Sequence, residues 1–261
     1  MGRAQVTVAP RPGTVQSLGR AFDLLELLAD SGSGLAITQL AASSGLPLPT
    51  IHRILRSLMA GGYVRQDGTR RYSLGPGLIR LGEVAAKGLG PWALPYLTEL
   101  VSLFGETANL AVLEGDSVLY VATVPSPHAV RLFTEVGRRV MPHCTGVGKA
   151  LLSGLTDDEV RRMVRRTGMP AFTDRTLMSV EALLADLHAI RARGYALDDG
   201  EQEQGVRCVA IAVAGAPARV ALSVSGPSAR VTRERVTQIA PALQRIVERL
   251  AADRIGEAPT A

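Results

Sequence analysis

The chain has 261 residues, of which 46% are hydrophobic and 20% charged, a composition that excludes a disordered protein and a length that suits two domains. Residues 1–80 hold nine arginines and only four acids, whereas the rest of the chain holds twenty bases and twenty acids. The net charge of +5 therefore lies in the first third of the chain. A basic module on a neutral body predicts a polyanionic partner for that module, unless surface arginines cluster there by chance.

Cysteine and histidine are scarce. The two cysteines, Cys144 and Cys208, and the four histidines lack the spacing of a disulfide framework or a metal site, so we expect no metal and no cofactor. The N-terminus has no apolar run of the kind that a signal peptide needs. The uncharged stretch 31–52 is interrupted by glycine and proline, so no membrane span is expected. These features predict a cytoplasmic protein with short tails at residues 1–13 and 256–261.

Residues 14–75 carry the signals of three helices and a hairpin. Ser17 is the predicted N-cap of the first helix, whose apolar positions follow helical spacing: Leu18, Ala21, Phe22, Leu25 and Leu28. Thr38 is the predicted cap of a second helix over residues 39–44, which Gly45 ends. Residues 63–66 and 71–74 are predicted strands around an Asp67–Gly68 turn.

The third helix is predicted to begin near Pro49, which suits a first helical turn, and to end at Gly61 and Gly62. Its aliphatic residues form one narrow stripe: Ile51, Ile54, Leu55, Leu58 and Met59. The order of helix, helix-turn-helix and hairpin is typical of a winged helix-turn-helix, which is a DNA-binding module.

The opposite face of this third helix is basic and polar, as a helix that enters the major groove requires. Arg53 and Arg56 are expected to contact guanine edges or phosphates. The predicted DNA-binding residues are Arg20, Gln39, Thr50, His52, Arg53, Arg56, Ser57, Arg70 and Arg71. The alternative is an ordinary three-helix domain with a solvated arginine face.

Residues 76–90 are a predicted linker helix, and residues 91–255 a second domain with a break at Pro91 and Pro95. Predicted strands cover residues 107–113, 118–124, 130–134, 207–213 and 219–225, with turns at 115–116 and 215–217. Predicted helices cover residues 146–153, 157–166, 180–193 and 232–252. The whole chain is therefore assigned to the α+β class.

The two late strands each have a bulky face and a small face, because side chains alternate along a strand. The small faces are Cys208, Ala210 and Ala212 on one strand, and Ala221, Ser223 and Ser225 on the other. If the strands pair, these faces line a shallow cavity with a thiol and two hydroxyls. The alternative is that small residues fit beneath a closely packed helix.

A glycine-rich turn leads into the helix predicted at residues 146–153. Such a turn leaves backbone N–H groups of Gly146 and Val147 unpaired at the positive end of the helix dipole, where a carboxylate can bind. The same residues have the glycine and lysine of a phosphate loop. However, Ala150 stands where Ser or Thr would hold magnesium, and no glycine lies at position 143.

Taken together, seven segments resemble the IclR-type bacterial transcription regulators over residues 14–255. They are VQSLGRAFDLLELLA (15–29), ITQLAASSGLPLPTIHRILRSLMAGGYV (37–64), RYSLGPGLIRLG (71–82), GETANLAVLEGDSVLYV (105–121), VGRRVMPHCTGVGKALLSG (136–154), RGYALDDGEQEQGVRCVAIAV (193–213) and ALSVSGPSARVT (221–232). The resemblance implies a winged-helix domain, a linker helix and a GAF-like effector domain, an antiparallel sheet flanked by helices. Pro49 departs from the Ser or Thr that often opens the recognition helix, although Thr50 follows it.

The resemblance further implies a homodimer or dimer of dimers on a palindromic operator in double-stranded DNA. A small effector, a carboxylate or ureide, would release a repressor from that operator, with glyoxylate or allantoin metabolism as the first candidate. The implied effector-binding residues are Leu132, Gly146, Val147, Asp198, Val206, Cys208, Ser223 and Ser225. An activator of an aromatic- or organic-acid operon remains an alternative.

Two other classes of protein fit the sequence less well. An enzyme with Cys208 or Cys144 as nucleophile beside His143 has few partner residues, so no catalytic residue is assigned. A protein-interaction module leaves the clustered N-terminal arginines unexplained. The sequence therefore favours a regulator over both.

Overall fold

The computed structural model describes residues 15–215 and 219–256, without the side chains of residues 86–89 and 254–256. The predicted tail at 1–13, most of the tail at 256–261 and the centre of the turn at 215–217 lie outside these residues. The described residues form two compact units, 15–88 and 89–256. Within the described part of the chain, no helix is both long enough and apolar enough to cross a membrane.

The N-terminal unit is a winged helix-turn-helix with an additional helix. Its elements are α1 (Gln16–Ser31), α2 (Ile37–Ser44), α3 (Leu48–Ala60), β1 (Val64–Gln66), β2 (Tyr72–Leu74) and α4 (Gly77–Leu89). The core of this unit consists of aliphatic side chains from the three first helices together with Val64 and Tyr72. The predicted order of elements is therefore confirmed.

The apolar face predicted for α1 is only partly right. Leu28 is buried, but the other buried residues are Leu24 and Leu27, whereas Leu18 and Phe22 are more than half exposed. The first turns of α1 extend beyond the core formed with α2 and α3, so apolar residues there have no described partner to cover them. The hydrophobic pattern marks the helix, but not where its packing begins.

Both hydroxyl caps predicted for the first two helices are wrong. The backbone of α1 begins at Gln16 with Val15 as its N-cap, which places Ser17 inside the helix. In the same way α2 begins after Ala36, and Thr38 lies in its first turn. A short helix can instead satisfy its first N–H groups through a later side chain.

The third helix agrees with the prediction, except that Leu58 and Met59 of the predicted stripe are only partly buried. Pro49 lies in its first turn, and Ile51, Ile54 and Leu55 are buried against the core. Gly45, with φ of +65°, ends α2 in the left-handed conformation that glycine adopts without strain. This turn sets the angle between α2 and the following helix.

The wing is an antiparallel hairpin whose turn is longer than predicted. The register pairs Gln66 with Tyr72, so residues 67–71 form the connection. The Asp67 carboxylate accepts hydrogen bonds from the N–H groups of Thr69 (2.9 Å) and Arg71 (3.0 Å). Arg70 adopts a φ of +61°, a conformation that costs a non-glycine residue about 1–2 kcal/mol.

The C-terminal unit is built on a six-stranded antiparallel sheet with strand order β5-β4-β3-β8-β7-β6. The strands are β3 (Thr107–Glu114), β4 (Ser117–Val124), β5 (Arg139–Val140), β6 (Ala196–Asp199), β7 (Val206–Ala212) and β8 (Val220–Pro227). The helices are α5 (Leu94–Phe104), α6 (Gly146–Ser153), α7 (Asp157–Thr167), α8 (Val180–Arg193) and α9 (Arg233–Gly256). One face of the sheet packs on α5 and α9, and the other on α6, α7 and α8.

The strand predicted at residues 130–134 is absent. These residues run without a ladder partner, and Val130 (72%) and Phe133 (61%) are largely exposed. Alternation of apolar and polar residues predicts a strand, but here it reflects a segment with only one side turned to the protein. We call residues 125–138 the covering segment. Strands β5 and β6 are not predicted, because each is short and neither has a tight turn joining it to its partner strand, as β1 and β2 have.

Candidate functional site

The outward face of α3 lines a broad groove in the N-terminal unit. This groove has a volume of about 760 Å³ and is lined by Pro49, Thr50, His52, Arg53, Arg56, Met59, Gln66 and Tyr72. Four of the predicted DNA-binding residues therefore line the groove, together with two residues at the inner edge of the wing: Thr50, His52, Arg53 and Arg56, with Gln66 and Tyr72. Gln66 is not among the residues predicted from the sequence. It lines the groove because the hairpin pairs it with Tyr72.

The two central arginines of this groove are available for contacts. Arg53 and Arg56 are exposed, and neither guanidinium has a hydrogen bond or ion pair with another described residue. They lie three residues apart, on one side of the helix. Ser57, next to them, donates its hydroxyl to the Arg53 carbonyl (3.2 Å). A pair of unpaired cations on one helix face can neutralise two phosphates or read base edges.

The remaining predicted DNA-binding residues have different surroundings. The Gln39 side chain accepts a hydrogen bond from the Ala36 N–H (2.9 Å) and so closes the start of α2. Arg71 is half-buried, and its guanidinium donates to the Gly34 carbonyl (2.8 Å). These two side chains stabilise the N-terminal unit whatever else they contact.

Arg70 and Arg20 lie at the edges of the same unit. Arg70 is exposed at the tip of the wing, and its carbonyl accepts a hydrogen bond from the Gln66 side chain. Arg20 is half-buried in the first turns of α1. Neither residue lines the groove of α3.

In the C-terminal unit, the small faces of β7 and β8 share one side of the sheet, as predicted. Cys208 pairs with Ser225, and Ala210 with Ser223. The row continues in both directions, because Asp198 pairs with Cys208 and Ser225 pairs with Thr107. One polar row therefore crosses four strands, and we call Asp198, Cys208, Ser225 and Thr107 the floor row.

Helix α6 begins directly above this row. A Cβ placed on Gly146 would stand 2.6 Å from the Cys208 Sγ, so only glycine allows this approach. The cap of the helix is Thr145, whose hydroxyl accepts a hydrogen bond from the Gly148 N–H (3.2 Å). The N–H groups of Gly146 and Val147 have no hydrogen-bond acceptor among the described residues.

A small cavity of about 60 Å³ lies between the start of α6, the floor row and the covering segment. Its lining consists of Tyr120, Leu132, Phe133, Thr134, Arg138, Val140, Thr145, Gly146, Asp198, Gln202, Glu203, Val206, Cys208 and Ser225. The structure thus brings six of the eight predicted effector-binding residues together. This space holds a few water molecules or one small organic molecule.

Val147 and Ser223 do not line the cavity. The Val147 side chain packs in the apolar core between α6 and the sheet. Ser223 lies one row deeper than the floor row, where Asn109 donates to its hydroxyl (3.4 Å). Both alternatives for the small faces therefore hold in part: Ala210 and Ala221 fit beneath α6, while Cys208 and Ser225 face the cavity.

Sequence reasoning missed eight lining residues, including Tyr120 and Arg138. These two depend on the pairing of β4 with a strand of only two residues, which has no recognisable pattern. Thr134 and Phe133 belong to the covering segment, which was assigned to a strand. Gln202 and Glu203 follow Asp198 in the loop after β6. Because loops carry many binding residues, their place in the sequence was a usable signal.

Burial raises the pKa values of three side chains that line the cavity: Asp198, Cys208 and Tyr120. Asp198 is 4% exposed, and one of its oxygens accepts the Glu201 N–H (2.7 Å). Burial raises the pKa of Asp198 to about 7 and that of the Cys208 thiol to about 12. Burial also raises the pKa of Tyr120, so the phenol and the thiol both keep their protons at neutral pH.

Lys149 does not serve the cavity. It is 1% exposed, and its ammonium group forms ion pairs with Asp186 (2.8 Å) and Glu201 inside the helical layer. The other Glu201 oxygen, Oε2, has no hydrogen-bond partner among the described residues. Lys149 is thus committed to packing, which removes the remaining likeness to a phosphate loop.

Comparison with protein-family models gives a match for each of the two units. The family model described as "IclR helix-turn-helix domain" matches residues 17–68, and the one described as "Bacterial transcriptional regulator IclR C-terminal" matches residues 85–252. The chain belongs to the IclR family of bacterial transcriptional regulators. IclR-type regulators bind DNA and small-molecule effectors, and the family consists of regulators and not of enzymes.

Characterised relatives are similar over most of their length. The HTH-type transcriptional regulator BhcR of Paracoccus denitrificans is 38% identical over 247 residues, which cover 93% of this chain and 88% of the relative. The transcriptional repressor IclR of Escherichia coli is 36% identical over 240 residues, with 89% and 88% covered. A crystal structure of an IclR transcriptional regulator from Alicyclobacillus acidocaldarius superposes with a TM-score of 0.78 at 29% identity, covering 92% of this chain and 98% of that one.

Proposed function

We propose that this IclR-family regulator is a repressor that a small organic acid releases from its operator. The observation that carries the proposal is the cavity of about 60 Å³ above the floor row, lined by hydrogen-bond donors and partly covered by the covering segment. Cavities that bind drug-sized ligands measure about 300–1,000 Å³. The size favours an acid such as glyoxylate or pyruvate over the larger ureides, and glyoxylate metabolism is the first pathway to test.

The acid would lie with hydrogen-bonding groups on several sides. The Gly146 N–H lies at the positive, N-terminal end of α6, where an anion can accept its hydrogen bond. The hydroxyl of Ser225 and the carboxyl of Asp198 lie on the floor row. Leu132 and Val206 supply apolar wall. Such a lining suits a short molecule with a carboxylate at one end and a carbonyl or hydroxyl at the other.

The DNA partner is proposed to be a palindromic operator bound by a homodimer or a dimer of dimers. Helix α3 would enter the major groove with Arg53 and Arg56 toward the DNA, and Arg70 on the wing would reach the flanking backbone. The relative that is named a transcriptional repressor supports repression as the mode of action. Release requires that the acid bind the two conformations of the regulator with unequal affinity.

The test is operator binding by fluorescence anisotropy with DNA from upstream of the chain's own gene, at two salt concentrations. The double variant Arg53→Ala/Arg56→Ala is expected to lose at least about tenfold in affinity, because each phosphate or base contact contributes about 1–3 kcal/mol. Arg162→Ala is the matched control, since Arg162 is an exposed arginine in the C-terminal unit. Unchanged operator binding by the folded double variant contradicts the DNA assignment.

The effector half of the proposal is tested with the same complex. Glyoxylate, pyruvate and allantoin are titrated separately into the regulator bound to operator DNA. Release by at least one of the two acids supports the proposal, and release by allantoin alone redirects it to a ureide. If no acid binds the free regulator in calorimetry, the cavity is not an acid site.

A further inference from the structure

The charged residues among the cavity lining are Arg138, Asp198 and Glu203. Lys149, the other cation near α6, is fully engaged with Asp186 and Glu201 and does not line the cavity. Arg138 is therefore the one formal positive charge on the wall among the described residues. A small acid that enters as an anion meets this guanidinium and two acidic side chains.

Backbone hydrogen bonds fix the position of Arg138. The Gly137 N–H donates to the Tyr120 carbonyl (2.8 Å), and the Tyr120 N–H donates to the Arg138 carbonyl (3.1 Å). Arg138 and Tyr120 are thus opposite each other, one pair beyond the β4–β5 ladder, in which Leu119 pairs with Arg139. Opposed residues of an antiparallel pair project to the same face, so both side chains lie on the cavity side of the sheet.

The neighbouring arginines are occupied, whereas Arg138 is not. Arg139 bonds Glu114 and the Ser117 hydroxyl, and Arg131 of the covering segment donates to the His128 carbonyl. Arg138 is half-buried, yet its guanidinium has no hydrogen bond or ion pair with another described residue. A partly desolvated guanidinium binds a carboxylate well, because its two N–H groups match the two oxygens.

We propose that Arg138 and the Tyr120 hydroxyl bind the carboxylate of the effector, so that the cavity selects organic acids in their anionic form. This inference rests on the proposed function. It adds a charged anchor on the β4–β5 side to the uncharged N–H groups of α6, and it leaves the carbonyl or hydroxyl end of the acid to the floor row. Tyr120 acts as a donor, because its phenol stays protonated.

The experiment is isothermal titration calorimetry of the full chain with pyruvate and with its uncharged analogue pyruvamide. For the parent, pyruvate is expected to bind at least about tenfold more tightly than pyruvamide, and Arg138→Gln is expected to weaken pyruvate binding by about 10- to 100-fold. The Arg138→Gln substitution should change the affinity for pyruvamide less than about threefold. Arg138→Lys keeps the charge and should retain part of the affinity, and Tyr120→Phe should lose about 3- to 10-fold.

Arg139→Gln is the matched control, because Arg139 is the adjacent arginine and projects to the other face. Operator binding without ligand checks that each variant is folded. If Arg138→Gln binds operator and pyruvate like the parent, or if Arg139→Gln loses as much pyruvate affinity, Arg138 is not the anchor. If the parent itself binds neither pyruvate nor glyoxylate, it is the proposed effector class that fails.

Discussion

Gly146 leaves no room for a side chain at the junction of α6 and β7, because a Cβ there would come within 2.6 Å of the Cys208 Sγ. The substitution Gly146→Ala therefore forces α6 away from the sheet. Overpacking of this kind costs about 1–3 kcal/mol of unfolding free energy. It also displaces the N–H groups that face the cavity, so pyruvate affinity should fall as well.

Gly154→Ala is the control for this change. Gly154 ends the same helix but is exposed, and its Cβ would make only an ordinary contact of 3.6 Å with the Leu151 carbonyl. Urea unfolding and calorimetry are run on both variants. Equal stability of the Gly146→Ala variant and the parent would show that α6 is not held against Cys208.

Acid binding is expected to depend on pH through Asp198. Burial raises the pKa of this carboxyl from its ordinary 3.8 to about 7, so the group is neutral at pH 6 and ionised at pH 8. The ionised form repels an anion in the same cavity, so pyruvate affinity should fall up to about tenfold per pH unit above 7. Asp198→Asn should bind with little change between pH 6 and pH 8.

The same carboxyl predicts a change in stability. Because the pKa is higher in the folded chain than in the unfolded chain, the stability that Asp198 contributes is fully present below pH 3.8 and is lost as pH rises to about 7. The Asp198→Asn variant should therefore gain melting temperature relative to the parent between pH 5 and pH 8. Parallel melting curves for the two proteins across this range would contradict a raised pKa.

The ion pairs of Lys149 are expected to be required for folding. Lys149→Met leaves the Glu201 carboxylate without its cation and Asp186 with only its longer pair to Arg193 (3.4 Å), and breaking a buried pair from one side costs about 3–5 kcal/mol. The control is Arg161→Met, which removes an exposed arginine from its pair with Glu181 and should cost at most about 1 kcal/mol. Equal loss of unfolding free energy in the two variants would argue that the Lys149 pairs are solvent-screened.

Arg70 allows stability to be separated from DNA binding. Its φ of +61° is unstrained for glycine, so Arg70→Gly should raise the unfolding free energy by up to about 1 kcal/mol. The same change removes a charge from the tip of the wing and should weaken operator binding. Thr69→Ser, beside it, keeps both the charge of Arg70 and the hydroxyl bond to Asp67 (2.7 Å) and serves as the comparison. Tighter operator binding by the Arg70→Gly variant would exclude a phosphate contact at the tip.

Much of the fold follows from periodicity. Helix α8 has the predicted bounds, Val180–Arg193, and three residues of the stripe predicted on α3 are buried: Ile51, Ile54 and Leu55. The β3–β4 hairpin also follows from its turn residues. These elements were predictable because the pattern and the packing coincide along their whole length. The missing strand at 130–134 shows the limit, since alternation reports a one-sided environment and not a ladder.

The site was predictable to the extent that it lies on long strands. Alternation along β7 and β8 predicts that Cys208 and Ser225 lie on the small face of each strand, and the pairing of the strands brings these faces together. Arg138 and Tyr120 could not be joined in this way, because their contact depends on long-range pairing with a two-residue strand. The N-caps predicted at Ser17 and Thr38 are wrong because each helix begins before the hydroxyl residue, after Val15 and after Ala36.

At its far end the floor row reaches Thr107, whose hydroxyl donates to the Leu132 carbonyl of the covering segment (3.2 Å). Thr107 thus links one end of the floor row directly to the covering segment. An acid that is one or two carbons too long must push the top outward and strain this link, whereas a short acid leaves it intact. The regulator would then sort metabolites by chain length, because only a longer acid displaces the covering segment.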